Sequence, residues 1–235
     1  MEDSISVIIC AFNEEKSIKK AVTDVLKAVS KEVADYEIIV VDDGSSDRTG
    51  GLAKQLAKKN KRIKAVSHER NLGFGMAYRT GIAASSKYYI AGYPSDADLP
   101  IRFFRDIIAK RKEADVVSSY LTNMGDRTLS RRIFSLSFTY FMNFLFGLHL
   151  RYFNGYFICR GNLLKSLDLK SEGFTLFAEV KIRLLKKGAT IYEVPILFAP
   201  RKYGSSKALR RKNFLQIFKI IPLLIKDVCF SARVD

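Results

Sequence analysis

With 235 residues, 48% of them hydrophobic, the chain can fill one large core, which excludes global disorder. Its formal charge of +16 is unevenly spread: residues 1–126 carry 20 Lys/Arg against 18 Asp/Glu, and residues 127–235 carry 20 against 6. The second half therefore asks for an anionic partner, whether nucleic acid, an anionic membrane surface or a phosphorylated substrate. Cys10, Cys159 and Cys229 are far apart and only His68 and His149 accompany them, which argues against a zinc site or a disulfide framework. Met1-Glu2-Asp3-Ser4 lacks the basic start and cleavage site of a signal peptide, so exposure to the cytoplasm is expected.

The first half alternates. Ile5–Cys10 is a short apolar, β-branched run of the kind buried in parallel sheets, and Ile18, Ala21, Val22, Val25, Leu26 and Val29 then recur at helical spacing. Glu37–Val41 is a second such strand, and it stops at Asp42-Asp43-Gly44-Ser45-Ser46-Asp47. Thr49–Lys59 reads as helix and Ile63–Ser67 as strand, with the turn Asn71–Gly75 leading into a helix over Met76–Ser85. Tyr88–Gly92 is a fourth strand, and it delivers Tyr93-Pro94-Ser95-Asp96-Ala97-Asp98-Leu99-Pro100. This βαβα order predicts an α/β fold with a mostly parallel, Rossmann-like sheet and helices on both faces. Ligands of such sheets sit at the carboxyl ends of the strands, so the motifs after strands one, two and four share one edge. Asp96 and Asp98, one residue apart in a strand-end turn, suit Mg²⁺ or Mn²⁺ carried by a phosphorylated ligand.

Beyond residue 100 the pattern reads as a helix over Phe103–Lys112, a strand over Val116–Tyr120 and a basic stretch with Arg127, Arg131 and Arg132. The 16-residue run Ile133–Leu148 is rich in Phe. It is short and polar for a membrane span, which needs about 20 residues, leaving two readings open: a buried helix, or one lying in the bilayer interface. Gly173–Leu185 is an amphipathic helix with the acid Glu179 among apolar neighbours, and Thr190–Val194 is a further strand. Arg201, Lys207 and the hydroxyls of Ser205 and Ser206 surround Gly204, as a phosphate clamp would. Arg210-Arg211-Lys212 precedes an apolar stretch interrupted by Lys219, Pro222, Lys226 and Asp227, a composition suited to an anionic leaflet. Two parts result: a catalytic domain over 1–207 and a basic amphipathic C-terminal tail over 208–235.

Taken together, these motifs resemble family 2 glycosyltransferases of GT-A fold, closest to dolichol-phosphate mannose synthases and other polyprenyl-phosphate glycosyltransferases. Ser6–Ile9 with Ala11–Glu14, Asp42–Thr49, Asn71–Ala77 and Asp96–Leu99 resemble the four motifs of the first half. Gly173 through Glu179, Glu193–Ile196, and Arg201 with Tyr203–Lys207 resemble the second half. Cys10 stands where proline is usual, Pro100 where a metal-holding glutamine is usual, and Arg151–Asn154 lacks the usual aspartate.

The resemblance implies inverting transfer of mannose or glucose from a nucleotide sugar, GDP-mannose or a UDP-hexose, to a polyprenyl (dolichyl) phosphate at the cytoplasmic face of a membrane. It implies that Ala11, Phe12, Glu14, Val41, Asp42, Asp43, Asp96, Ala97 and Asp98 hold the nucleotide sugar. Mg²⁺ or Mn²⁺ would sit on Asp96 and Asp98, with Arg201 and Lys207 sharing the leaving-group charge. Arg127, Arg131, Arg132 and Ser135 would hold the acceptor phosphate. A saccharide or other hydroxyl acceptor would instead need a base, for which Glu179 and Asp98 are the candidates. A catalytically inactive membrane scaffold and recruitment by a small membrane subunit stay open. A nucleic-acid module would leave the strand-end carboxylates without a task, and no nucleic-acid partner is expected.

Overall fold

The computed structural model describes residues 3–97, 99–123, 128–173, 175–197 and 211–230. Seven strands form one sheet: β1 (Ser4–Ala11), β2 (Asp35–Asp42), β3 (Ile63–Ser67), β4 (Tyr89–Gly92), β5 (Val116–Leu121), β6 (Phe157–Arg160) and β7 (Ile191–Ile196). Their order is β3-β2-β1-β4-β6-β5-β7. The first four are mutually parallel, as are β5 and β7, whereas β6 runs antiparallel between β4 and β5.

The sheet is covered on both faces, which is why its central strands read as continuous apolar runs rather than alternating ones. Ile5, Val7 and Ile9 of β1 pack with Ile38 and Val40 of β2 beneath α1 (Ile18–Val29), α2 (Thr49–Lys59) and α4 (Ile101–Ala109). Ile8, Ile39 and Val41 point the other way, against α3 (Phe74–Ala84), α6 (Gly161–Lys165) and α7 (Leu176–Lys186). A third cluster joins α5 (Leu129–Phe146) and α7 to α8 (Arg211–Ile225) through Phe138, Met142, Phe146, Ile182, Ile220 and Leu224. The basic segment expected as a tail over 208–235 thus contributes a helix whose Ile220 and Leu224 are buried in the protein. Past Pro222, α8 runs into a π-helical turn, Lys226–Phe230.

The open question about the Phe-rich run has a two-sided answer. One stripe of α5 (Phe138, Met142, Phe146) is buried, and the opposite stripe exposes Leu129, Ile133, Tyr140 (73%), Phe141 and Phe144 (88%). Among the described residues no helix is long and apolar enough to cross a membrane.

At the amino ends of the strands, opposite the motif-bearing edge, Glu37 locks three strands and a loop. Its carboxylate accepts from Ser6 Oγ (2.6 Å), Ser86 N (2.6 Å) and Ser86 Oγ (3.1 Å) and pairs with Lys64 Nζ at 2.7 Å. Burial alone would raise its pKa, but Lys64, Ser6 and Ser86 outweigh that and lower it. A carboxyl lowered in the folded state stabilises above its ordinary pKa, about 4.3, and loses that contribution as pH falls. Glu37→Gln should therefore cost about 1–3 kcal/mol in urea unfolding at pH 7, and variant and wild type should converge in acid.

Candidate active site

The carboxyl edge is assembled from four loops. After β1, Asn13 adopts φ +57°, a conformation Asn tolerates better than most residues. It is stitched to the loop after β2: Asn13 N donates to Ser45 Oγ (2.9 Å) and Asn13 Oδ1 accepts from Ser46 N (2.9 Å). Glu14 N donates to Thr49 Oγ1 at 2.8 Å, and Glu15 Oε2 accepts from Arg48 Nε at 3.1 Å. Ala11 is buried, while Phe12 and Glu14 are partly exposed along this seam.

Asp42 and Asp43 both lie inside the edge. Asp42, 6% exposed, accepts from Ser45 N at 3.2 Å. Asp43 accepts from Leu72 N (2.9 Å) on one oxygen and Gly73 N (2.8 Å) on the other, and His68 Nδ1 lies 2.8 Å from the first. A carboxylate can only accept, so Nδ1 carries the proton in this pair. The far ring nitrogen, Nε2, meets Thr80 Oγ1 of α3 at 2.9 Å. Asp43 therefore shapes the Asn71–Gly73 turn. His68, whose place in this network no sequence motif marks, stands directly after β3, a strand-end position like that of Asp43 after β2.

The third loop follows β4. Tyr93 N donates to Ile8 O at 2.9 Å and Tyr93 Oη to Leu99 O at 2.8 Å, pinning both ends of the Asp96-bearing turn to the core. Inside it Ala97 N reaches Pro94 O (3.2 Å) and Ala97 adopts φ +53°, a left-handed conformation that costs an L-residue about 1–2 kcal/mol. Such strain persists where surrounding structure enforces it, commonly at functional sites. Among the described residues no three His, Cys, Asp or Glu side chains converge as a metal cage. Mg²⁺ and Mn²⁺ are commonly held by one or two carboxylates plus substrate phosphates, and the hard oxygens of Asp96 and Asp98 fit that donor set.

The fourth loop connects α6 to α7. A Cβ on Gly75 at the start of α3 would overlap the Ser171 carbonyl oxygen, and Gly75 N donates to Glu172 O at 2.9 Å. Close backbone approach thus accounts for this glycine. The loop is itself held by Glu179 of α7, which is 0% exposed. Its two oxygens accept from Lys170 N (2.9 Å) and Ser171 N (2.7 Å), and Arg183 Nε sits 2.8 Å away. Arg183 continues to Asp227 at 2.9 Å. Glu179, expected as a candidate base, is placed here as the buried anchor of the loop that meets α3.

Arg131, Arg132 and Ser135 lie in the first turns of α5, with Arg131 and Ser135 four residues apart on one stripe. Asp98, Arg127, Arg201 and Lys207 lie outside the described residues.

A sequence model described as glycosyl transferase family 2 matches residues 6–168. The chain belongs to that family. Its sheet order and two-sided helix packing make this family 2 member GT-A-like, and solved structures agree. Glucosyl-3-phosphoglycerate synthase from Mycobacterium tuberculosis, crystallised with Mn²⁺, UDP-glucose and phosphoglyceric acid, superposes with TM-score 0.71 at 20% identity, covering 94% of this chain and 80% of that one. At that identity the likeness concerns the fold. In sequence, polyprenol monophosphomannose synthase of Mycolicibacterium smegmatis is 31% identical over 240 residues, covering 97% of this chain and 89% of that synthase. An uncharacterized glycosyltransferase of Haemophilus influenzae is 31% identical over 121 residues, which are 52% of this chain but 35% of that protein. The family 2 chain therefore spans about a third of the latter and nearly all of the former.

Proposed function

We propose that this family 2 glycosyltransferase moves mannose or glucose from GDP-mannose or a UDP-hexose to a polyprenyl phosphate, with inversion, while resting on a membrane surface. The observation that carries the reading is the extent of the likeness to the polyprenol monophosphomannose synthase. It runs past residue 168 and takes in α7, β7 and α8. The exposed apolar stripe of α5, flanked by the exposed Arg132, supports it, because an aromatic face with a cation at its border suits an anionic bilayer interface. In this reading residues 1–207 carry the chemistry, and α8, within 208–235, adds Phe218 (exposed) and Lys219 to the membrane-facing side.

Ala11, Phe12, Glu14, Val41, Asp42 and Asp43 would border the nucleoside. A divalent cation on Asp96 and Asp98 supplies, when bound, positive charge opposite the diphosphate leaving group. Arg201 and Lys207 would share that charge, and cations aimed at a developing anion commonly make the largest single contribution to such reactions. Arg127, Arg131, Arg132 and Ser135 would receive the acceptor. A phosphate monoester is already an anion at neutral pH, so no strong base is needed. A hydroxyl acceptor would need one; Glu179 is buried with both oxygens engaged, which leaves Asp98 as the candidate for that role.

The test is incubation with Mn²⁺, a short polyprenyl phosphate and radiolabelled GDP-mannose or UDP-glucose, followed by organic extraction. Label entering the organic phase from one donor is the expected result. Hydrolysis of the nucleotide sugar without lipid labelling would sink the lipid acceptor, and absence of nucleotide binding would leave a scaffold.

A further inference from the structure

Lys181 lies in the middle of α7 and is 0% exposed, and the chemistry above gives it no role. Its Nζ donates to three backbone carbonyls of one short segment: Phe153 O at 2.8 Å, Gly155 O at 3.0 Å and Tyr152 O at 3.3 Å. Three acceptors around one nitrogen require three N–H donors, which an ammonium has and a neutral amine lacks. Burial pushes the group down to about 7, with the Glu193 carboxylate pulling the other way. Glu193 grips the same segment from the sheet side, accepting from Arg151 N at 3.0 Å. A buried cation and a carboxylate thus hold residues 151–155 between them.

That segment touches two things. A Cβ at Gly155 would overlap the Ser119 carbonyl oxygen, so the chain there lies directly on the carboxyl half of β5. Phe153, also 0% exposed, meets Phe138 of α5 edge-on at 6.2 Å and shares its cluster with Met142. Arg131, Ser135, Phe138 and Met142 recur at intervals of four, three and four residues, which on a helix is one stripe. The face of α5 that packs on Phe153 is therefore the face that carries Ser135 and Arg131, one and two turns further toward the helix start.

We propose that Lys181 is a positioning residue for the acceptor side of the site, an internal cation that shapes the Tyr152–Gly155 arc and through Phe153 sets where the Arg131/Ser135 stripe of α5 stands. This rests on the reading of α5 as the phosphate-receiving helix. It places Lys181 outside contact with substrate and makes its effect selective, because among the described residues the arc is tied to α7, to α5 and to the sheet at β5 and β7.

Lys181→Met keeps the length of the side chain and removes the charge. Two measurements on the full chain test the assignment: hydrogen exchange over residues 129–142 with Phe74–Ala84 as reference, and binding of a short polyprenyl phosphate beside binding of GDP and UDP. The expected result is exchange in α5 faster by at least about tenfold with α3 unchanged, phosphate affinity lower by about tenfold, and nucleotide affinity within about twofold of wild type. Unchanged α5 exchange, or an equal rise in α3, would overturn the proposal and leave Lys181 as general support. If Lys181→Met does not fold, Phe153→Leu keeps the carbonyl cage and weakens only the ring contact. It should give the same selective pattern at about threefold, and wild-type behaviour in that variant would likewise overturn the link. Faster α5 exchange in a protein whose wild type binds no polyprenyl phosphate would remove the acceptor reading while leaving Lys181's hold on α5 intact.

Discussion

Asp98→Asn is expected to lower sugar transfer about a thousandfold, the size of a lost metal-centred charge interaction worth several kcal/mol, while thermal unfolding stays near that of wild type. Asp96→Asn should also be severely impaired and should need more Mn²⁺ to reach its residual rate. The expectation grows from how the turn is built. Tyr93 ties its start to Ile8 and, through its hydroxyl, to Leu99, and Ala97 between the two carboxylates is held at φ +53°. A flexible surface turn would relax such a residue, whereas a turn tied at both ends holds it in place. The loss should fall on turnover rather than on folding. Transfer by Asp98→Asn within tenfold of wild type would end the metal assignment for this turn.

The parts of the fold that could be read in advance are those where burial and periodicity agree. β1 and β2 are covered on both faces, so Ile5–Ile9 and Ile38–Val41 had to be apolar without interruption, and the turns at their ends stand out against them. β6 escaped. Its four residues, Phe157–Arg160, are too few to show a period, and nothing local says that they run antiparallel and separate β4 from β5. α5 resisted for a different reason: with Phe138, Met142 and Phe146 inside and Tyr140, Phe141 and Phe144 outside, apolar side chains occupy both faces and the periodic signal cancels. At the site, position along the strands groups the motifs on one edge but does not reveal their partners. Asp43 reads as a strand-end carboxylate, yet its oxygens are taken by Leu72 N, Gly73 N and His68, residues some 25 to 30 positions away. Lys181 reads as one more lysine in a basic half, and only the tertiary path of Tyr152–Gly155 makes it an interior cation.

Glu179→Gln separates two roles for the same carboxylate. A general base removed from an otherwise intact site lowers kcat by about 10²–10⁴ and leaves stability alone. The geometry predicts the reverse order of effects. Glu179 is wholly buried, accepts from two backbone N–H groups and pairs with Arg183, which in turn reaches Asp227 of the C-terminal turn. Glutamine offers one acceptor oxygen where two are used, and it turns an N–H₂ toward groups that are themselves donors. Removing one partner of a buried ion pair costs about 3–5 kcal/mol, because the remaining charge stays in place without its counterion. Urea unfolding should show a loss of that size. Activity measured well below the new midpoint should fall only modestly, through loosening of the Ser171–Glu172 backbone against Gly75 rather than through a missing base. Arg183→Met paired with Glu179→Gln should recover part of the lost stability, since the double change removes both charges. If the single variant instead folds as firmly as wild type and loses turnover a thousandfold, Glu179 acts in the chemistry, and the hydroxyl-acceptor reading returns with it.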